Sequence, residues 1–285
     1  MERLPDDLAH AYLDLLGVRA RPARVDGDAL ATLQHAHLER VPYETLDIVR
    51  RSAPDIDPVA CARRVVGGRG GYCYHLNGAF AALLAWLGVD VTRHVAGVQG
   101  HAVAEPPGAN GNHLGLTVRT PDGRRWLVDV GLGDGPAEPL PLVAGVHEEG
   151  GYRYELHPSV LAPGGWRFEH DARGGFIGFD MSPHSATTRD FAGMHSKLTA
   201  DSGFTRVVIV QRRVDQRLEI LRGCVYTEID ADGAQSSDVT DPDSWWELVL
   251  GHFGLAYGDL EETEREALWR RVLDGHAAWD AAGRP

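Results

Sequence analysis

Apolar residues recur along this chain with two different periods, and the change from one to the other near residue 89 divides the sequence. In the first stretch the spacing is helical. Leu8, Tyr12, Leu15 and Leu16 form one face of a helix that Asp6 or Asp7 would cap and Gly17 would end. Leu30, Leu33, His37 and Leu38 form the inner face of a second helix starting near Asp28. Pro42 interrupts that pattern, so residues 41–48 read as extended or looped. Asp57 followed by Pro58 is an N-cap and N1 pair that opens a third helix running to about Val66. A fourth carries Leu76, Phe80, Leu83, Leu84 and Leu87 on one face and stops at Gly88.

Beyond residue 89 the apolar runs become short and rich in β-branched residues, bounded by Gly, Pro and Asp, which predicts strands near 89–98, 113–120, 125–130, 152–156 and 166–168. These should form a compact antiparallel sheet or small barrel. Past Arg189 come strands near 206–212 and 218–229, an Asp-rich loop, a helix after Asp241 and Pro242 that holds Trp245, Trp246 and Leu248, and a last amphipathic helix over 260–279. The expected fold class is α+β: a helical bundle over 1–88, an antiparallel β-barrel over 89–190 and an α/β segment over 191–285.

Composition narrows the possible functions. At 285 residues and 43% apolar the chain can bury a substantial core, and a net charge of −13 with no basic stripe argues against nucleic acid as a partner. No apolar run reaches 18 residues and no basic region precedes an apolar one at the N-terminus, so neither a membrane span nor a secretion signal is expected. Cys61, Cys73 and Cys224 are too few and too scattered for a disulfide framework or a zinc cluster, which points to a reducing, cytoplasmic setting. His35 and His37, two apart on a helix, cannot face one metal, and no metal site is expected. Nothing in the sequence indicates an oligomer.

Candidate chemistry centres on Arg69-Gly-Gly-Tyr-Cys73. The spacing puts Cys73 at the mouth of the fourth helix, where unpaired N–H groups carry partial positive charge and favour the thiolate. Gly70 and Gly71 would let backbone or substrate approach the sulfur closely. The plain alternative is a small buried hydrophobe. A thiol nucleophile needs a base and the base an orienting group. His113 begins a strand, Pro121-Asp122-Gly123 makes a turn, and the return strand carries Asp129 within an apolar run. If the turn closes on Thr120 and Arg124, His113 and Asp129 lie diagonally on one face, about 7 Å or less apart at Cβ. A buried carboxylate needs a partner, and Arg93, Arg124 or Arg125 could supply it instead. The glycine-rich run 131–135 lacks the following helix of a nucleotide loop but could meet a cofactor's phosphates. Tyr43, Phe204, Trp245 and Trp246 could wall an aromatic pocket or simply pack a core.

These residues resemble the arylamine N-acetyltransferase family over most of the chain. The resemblance is carried by Arg69-Gly-Gly-Tyr-Cys73 with Leu76-Asn77-Gly78, by His113, by Asp129-Val-Gly-Leu-Gly, by His37 with Val41-Pro-Tyr-Glu-Thr-Leu-Asp-Ile48, and by His252-Phe-Gly-Leu255. It implies a helical domain, a β-barrel and an α/β lid, with a cysteine-protease-like triad of Cys73, His113 and Asp129 shared between the first two. It implies ping-pong transfer of acetyl from acetyl-CoA to an arylamine, hydrazine or arylhydroxylamine, with Tyr43, Leu132 and Phe204 lining the acceptor pocket and Arg69, Gly70, Gly71 and Asn77 as supporting motif residues. His75 stands where the family usually has Glu, Thr45 where it has Asn, and Leu132 where bacterial members often have Phe. Polyketide amide synthases of the same fold and triad are the nearest alternative; a cysteine hydrolase or transglutaminase and a non-catalytic binding protein are more distant ones.

Overall fold

The structure, a computed structural model, describes residues 3–103 and 105–283. Its first part is helical: α1 (Asp6–Leu15), α2 (Gly27–Arg40), the two-residue strand β1 (Tyr43–Glu44), the short α3 (Leu46–Val49), α4 (Pro58–Val66) and α5 (Cys73–Trp86). The Asp57 cap follows the sequence reading, accepting from the N–H groups of Val59 and Ala60, whereas α2, expected to start near Asp28, starts at Gly27 behind Asp26, which accepts from Ala29. Asp6 and Asp7, expected as caps of α1, instead lie in its first turn behind Pro5, where their charge still favours the positive helix end. The fourth helix also departs from expectation. Every residue of α5 except Ala85 is buried, because α4 covers one side and the first two barrel strands the other. An all-round apolar helix belongs in the interior, which is where it brings its first residue, Cys73.

The middle part contains β2 (Asp90–Gln99), β3 (His113–Arg119), β4 (Arg125–Val128), β5 (Leu140–Pro141), β6 (Gly145–Glu149), β7 (Tyr152–Pro158), β8 (Trp166–Glu169) and β9 (Gly178–Ser185). They pair antiparallel in the order β5-β4-β3-β2-β9-β8-β7-β6, a nearly closed barrel. In the β3–β4 hairpin Thr120 N–H donates to the Arg124 carbonyl, Thr117 pairs with Leu127 and Leu116 with Val128, the register that the turn predicts. The barrel interior holds Tyr154, Leu156, Phe168, Phe179 and Met181, while Leu114, Leu116, Val118 and Val128 join the core of the helical part. Each such apolar side chain, fully buried, contributes about 1.5–3 kcal/mol.

The last part contains α6 (Thr188–Ala200), β10 (Ile209–Val214), β11 (Arg217–Arg222), β12 (Val225–Asp230), β13 (Gly233–Asp238), α7 (Pro242–Glu247) and α8 (Glu262–Ala281), with a π-turn at Leu248–His252. Helix α6 was not expected. The run 218–229, expected as one strand, is a hairpin folded at Gly223 (φ +58°), and the expected Asp-rich loop is largely β13. The strands form a second sheet in the order β1-β10-β11-β12-β13, so a strand from the helical part makes its edge. One face packs on Trp245, Trp246, Val249, Phe253, Leu268 and Val272.

Candidate active site

Cys73 is the first residue of α5, with Tyr72 as its extended N-cap (φ −99°, ψ −173°), so its thiol sits at the positive end of a buried helix. It is 5% exposed, and its Sγ lies 3.8 Å from the Asn112 carbonyl. His113, the next residue on from Asn112, opens β3 and comes to the thiol because α5 packs along that strand.

Asp129, just past the end of β4, is buried and fully engaged. Its Oδ2 accepts from His113 Nε2 at 2.7 Å, and its Oδ1 accepts from Asn77 Nδ2 and from the Gly131 N–H, both at 2.8 Å. None of the three arginines considered as partners takes it. Asn77 sits one helical turn after Cys73. Its amide also donates to the Leu114 carbonyl at 2.7 Å and accepts the Val130 N–H at 2.8 Å, tying helix, β3 and the residues after β4 into one unit. Because Nε2 is committed to Asp129, only the other ring nitrogen of His113 is left for Cys73, which lines the same cleft. Burial opposes the imidazolium, yet the Asp129 charge and hydrogen bond, together with Cys73, outweigh it and raise His113 to about 10. A protonated imidazole between a carboxylate and a thiol stabilises the thiolate, the form that attacks acyl carbon.

The thiol opens into a cleft of about 360 Å³. Tyr43, Leu132 and Phe204 all line it with Cys73 and His113. Trp245 and Trp246 do not; they are core residues of the last part. The second sheet supplies one wall, since Tyr43 pairs with Gln211 and Ile209 with Arg222, which puts these four side chains on one face. Gln211, Arg222, Asp134 and Phe176 line the cleft without having been singled out in the sequence. The sequence did flag the glycine-rich run that holds Asp134, and Phe176 follows a similar Gly174-Gly175 pair, a signal that could have found it. Burial works against the Asp134 carboxylate, but His170, the Gly175 N–H and Arg213 hold it below the usual range. Thus Asp134 pins the Gly175 loop beside the cleft.

The supporting motif residues take different places from the thiol. A Cβ on Gly70 would meet the Pro42 carbonyl at 2.0 Å, and one on Gly71 would meet the His75 ring at 2.7 Å. The glycines therefore admit β1 and an imidazole, correcting the expectation that they open a path to the sulfur. Glu44 N–H donates to the Gly71 carbonyl at 2.9 Å across that approach. Gly131 is the glycine next to the nucleophile, with a Cβ there falling 2.7 Å from Cys73 Cα. Arg69 pairs with Asp259 at 2.6 Å, donates to the Ala256 carbonyl and covers the Tyr257 ring, fastening the loop before Cys73 to the C-terminal part. His75 accepts from Tyr72 N–H at 3.3 Å and donates to the Pro54 carbonyl at 3.4 Å, away from His113. Burial and the nearby Arg64 push it down to about 3, so the ring is neutral. Among the described residues no group of three His, Cys, Asp or Glu side chains could hold a metal ion.

A family model described as N-acetyltransferase matches residues 26–260. The chain is 35% identical over 278 residues to an arylamine N-acetyltransferase of Mycolicibacterium smegmatis, covering 92% of this chain and 97% of that protein. It is 36% identical to the proansamycin X synthase of Amycolatopsis mediterranei over 151 residues, a match spanning 51% of this chain and 56% of the synthase. The solved structure of Mycobacterium marinum arylamine N-acetyltransferase in complex with CoA is similar at a TM-score of 0.82 and 25% identity, over 93% of this chain and 98% of that one.

Proposed function

Given that the chain belongs to the arylamine N-acetyltransferase family and is an acyltransferase, we propose that it moves an acetyl group from acetyl-CoA through a thioester on Cys73 to an aromatic amine, hydrazine or arylhydroxylamine. Cys73 is the nucleophile, His113 the proton carrier and Asp129 the group that orients and charges His113. In the first half-reaction the thiol proton rests on His113, the thiolate attacks the acetyl carbonyl, and first-turn N–H groups of α5, which have no intrahelical partner, face the developing oxyanion. The C–S bond to CoA breaks and the CoA sulfur leaves with the proton from His113. In the second, the amine attacks the Cys73 thioester, His113 takes the amine proton, and Cys73 leaves as thiolate from the new amide. Tyr43, Leu132 and Phe204 wall the acceptor side; Asn77, Gly70, Gly71 and Arg69 hold the frame.

The observation that carries this reading is the line from Asp129 through His113 to a thiol at a helix N-terminus, opening on a cleft. Intact mass spectrometry after mixing with acetyl-CoA tests it: an adduct of about 42 Da on Cys73 that an added arylamine removes is expected. Failure of the adduct to form would sink the reading. The partial likeness to proansamycin X synthase favours a second reading, an amide synthase using a longer acyl thioester, for which an adduct would form only with longer chains. Free acid released at a rate insensitive to amine would mean a hydrolase. The three cysteines are unpaired and buried, which supports a cytoplasmic setting, and no helix among the described residues is long and apolar enough to cross a membrane.

A further inference from the structure

Helix α6 reaches the cleft with little holding it in place. Of its 13 residues only Phe191 is buried, packed on the Tyr74 ring with centroids 5.2 Å apart. Gly193 lies in its interior, where glycine weakens a helix, and nothing stands within 4 Å of a Cβ built there. Single polar contacts tie the helix at three points. Arg93 Nη1 donates to Thr188 Oγ1 at 3.3 Å at the start, and Arg51 Nη1 donates to the Ala200 carbonyl at 2.6 Å at the end. Midway, His195 Nδ1 is hydrogen-bonded to the hydroxyl of Tyr72, the buried residue that precedes Cys73. A helix of this length with so little buried surface is marginal on its own, and such segments open locally well before the whole fold does.

What α6 brings to the cleft depends on that hold. Leu198 lines the cleft with Cys73, and the 3₁₀ turn Gly203–Thr205 that follows adds Phe204, whose ring meets the Tyr72 ring with centroids 5.5 Å apart. Ser202 couples helix to turn, its Oγ accepting the Phe204 N–H at 3.1 Å and donating to the Leu198 carbonyl. We propose that α6 and this turn are a gate on the cleft: α6 unwinds, Leu198 and Phe204 withdraw from Cys73, and the Tyr72–His195 bond latches the closed form. Cys73 is 5% exposed in that closed form, so a bulky reactant reaches the sulfur through the open one.

Alkylation of Cys73 tests the gate without any acyl donor or amine, so the outcome does not depend on which thioester the enzyme uses. Peptide mapping after treatment of the intact protein with iodoacetamide, a small probe, and with fluorescein-5-maleimide, a bulky one, reads access to the sulfur. His195→Phe keeps an aromatic ring and loses the bond; it should speed the bulky probe about three- to tenfold, the worth of one hydrogen bond, and the small probe far less. His195→Asn, whose amide can stand in for Nδ1, should restore the wild-type rate. Gly193→Ala strengthens the helix without a clash and should slow the bulky probe about two- to fivefold, with slower amide hydrogen exchange over 188–200. Cys61 and Cys224, both fully buried, report unfolding of the whole chain and should stay unlabelled. Equal bulky-probe rates in Gly193→Ala and wild type would overturn the gate. Labelling of Cys61 and Cys224 along with Cys73 in His195→Phe would make His195 a residue of the fold and overturn the latch.

Discussion

Asn77 grips Asp129 by the carboxylate oxygen that His113 does not use, with Nδ2 2.8 Å from Oδ1 while His113 Nε2 holds Oδ2 at 2.7 Å. The helix that Cys73 opens therefore sets the angle of the carboxylate that holds the imidazole. Asn77→Ala removes that grip and leaves the Leu114 carbonyl and the Val130 N–H buried without partners. Each orphan costs about 1–3 kcal/mol. A thermal melt should show the destabilisation, and kcat/KM should fall by about 10²-fold, as expected for a misdirected catalytic pair. An unchanged acylation rate would show that Asp129 keeps its angle without Asn77.

Gly131→Ala tests how closely the chain passes the nucleophile. The new Cβ would fall 2.7 Å from Cys73 Cα and 2.9 Å from Asn77 Nδ2, too near backbone for a local adjustment. Acylation of Cys73 by acetyl-CoA, followed by intact mass over time, should slow by about 10²-fold, whereas Gly123→Ala, at a turn with no neighbour near the added Cβ but with φ +86°, should cost stability only.

Protonation of His113 gives the stability of the fold a distinct pH signature. His113 is raised to about 10 in the fold, burial opposing and Asp129 and Cys73 outweighing it, against about 6.5 unfolded. Its contribution to stability is thus full below about pH 6.5 and disappears as pH rises through about 10. The stability difference between wild type and His113→Gln should shrink across that window.

His37 and His75 behave in the opposite sense. Both are buried and pushed down to about 3, by burial in each case and for His75 also by Arg64. The unfolded chain takes up these protons near pH 6.5 and the fold does not until about 3, so stability falls as pH drops through that range, by about 1.4 kcal/mol per pH unit for each ring. His37→Gln can keep a bond to the Tyr12 hydroxyl, which His37 Nε2 now meets at 2.8 Å, and should flatten the acid limb of the profile. His75→Glu should change the acylation rate less than about threefold, because His75 bonds Tyr72 N–H and the Pro54 carbonyl and leaves His113 alone. A faster variant would mean that the imidazole disturbs the triad.

The hairpin that brings His113 to Asp129 was legible because a three-residue turn fixes a register and a register fixes which side chains share a face. Asp57, Pro58 and Gly88 marked helix ends through backbone chemistry that acts locally. What escaped had no local signal. Helix α6 buries only Phe191, so it shows no apolar stripe, and β13 is exposed throughout, so it shows no alternation. Only Gly223 interrupts the apolar run from 218 to 229, too little to announce a hairpin. Gln211 reaches the cleft through pairing with Tyr43 and Arg222 through pairing with Ile209 of the same sheet, and no short-range pattern encodes the meeting of that sheet with a strand near residue 43. Gly70 and Gly71 read as room for a backbone or a substrate at the sulfur because sequence cannot say which segment needs it.

The edge strand β1 has a consequence for how the enzyme comes into being. Thr45 Oγ1 accepts the Ile209 N–H across 164 residues of chain, and the wall that Tyr43 shares with Gln211 closes by the same pairing. Cys73, His113 and Asp129 have all left the ribosome long before that wall can form. Under the proposed function, the growing polypeptide carries the Cys73 thiol with the Tyr43 side of its cleft still open to water and to passing electrophiles. Completion of the second sheet is then the step that would turn an exposed reagent into a selective one.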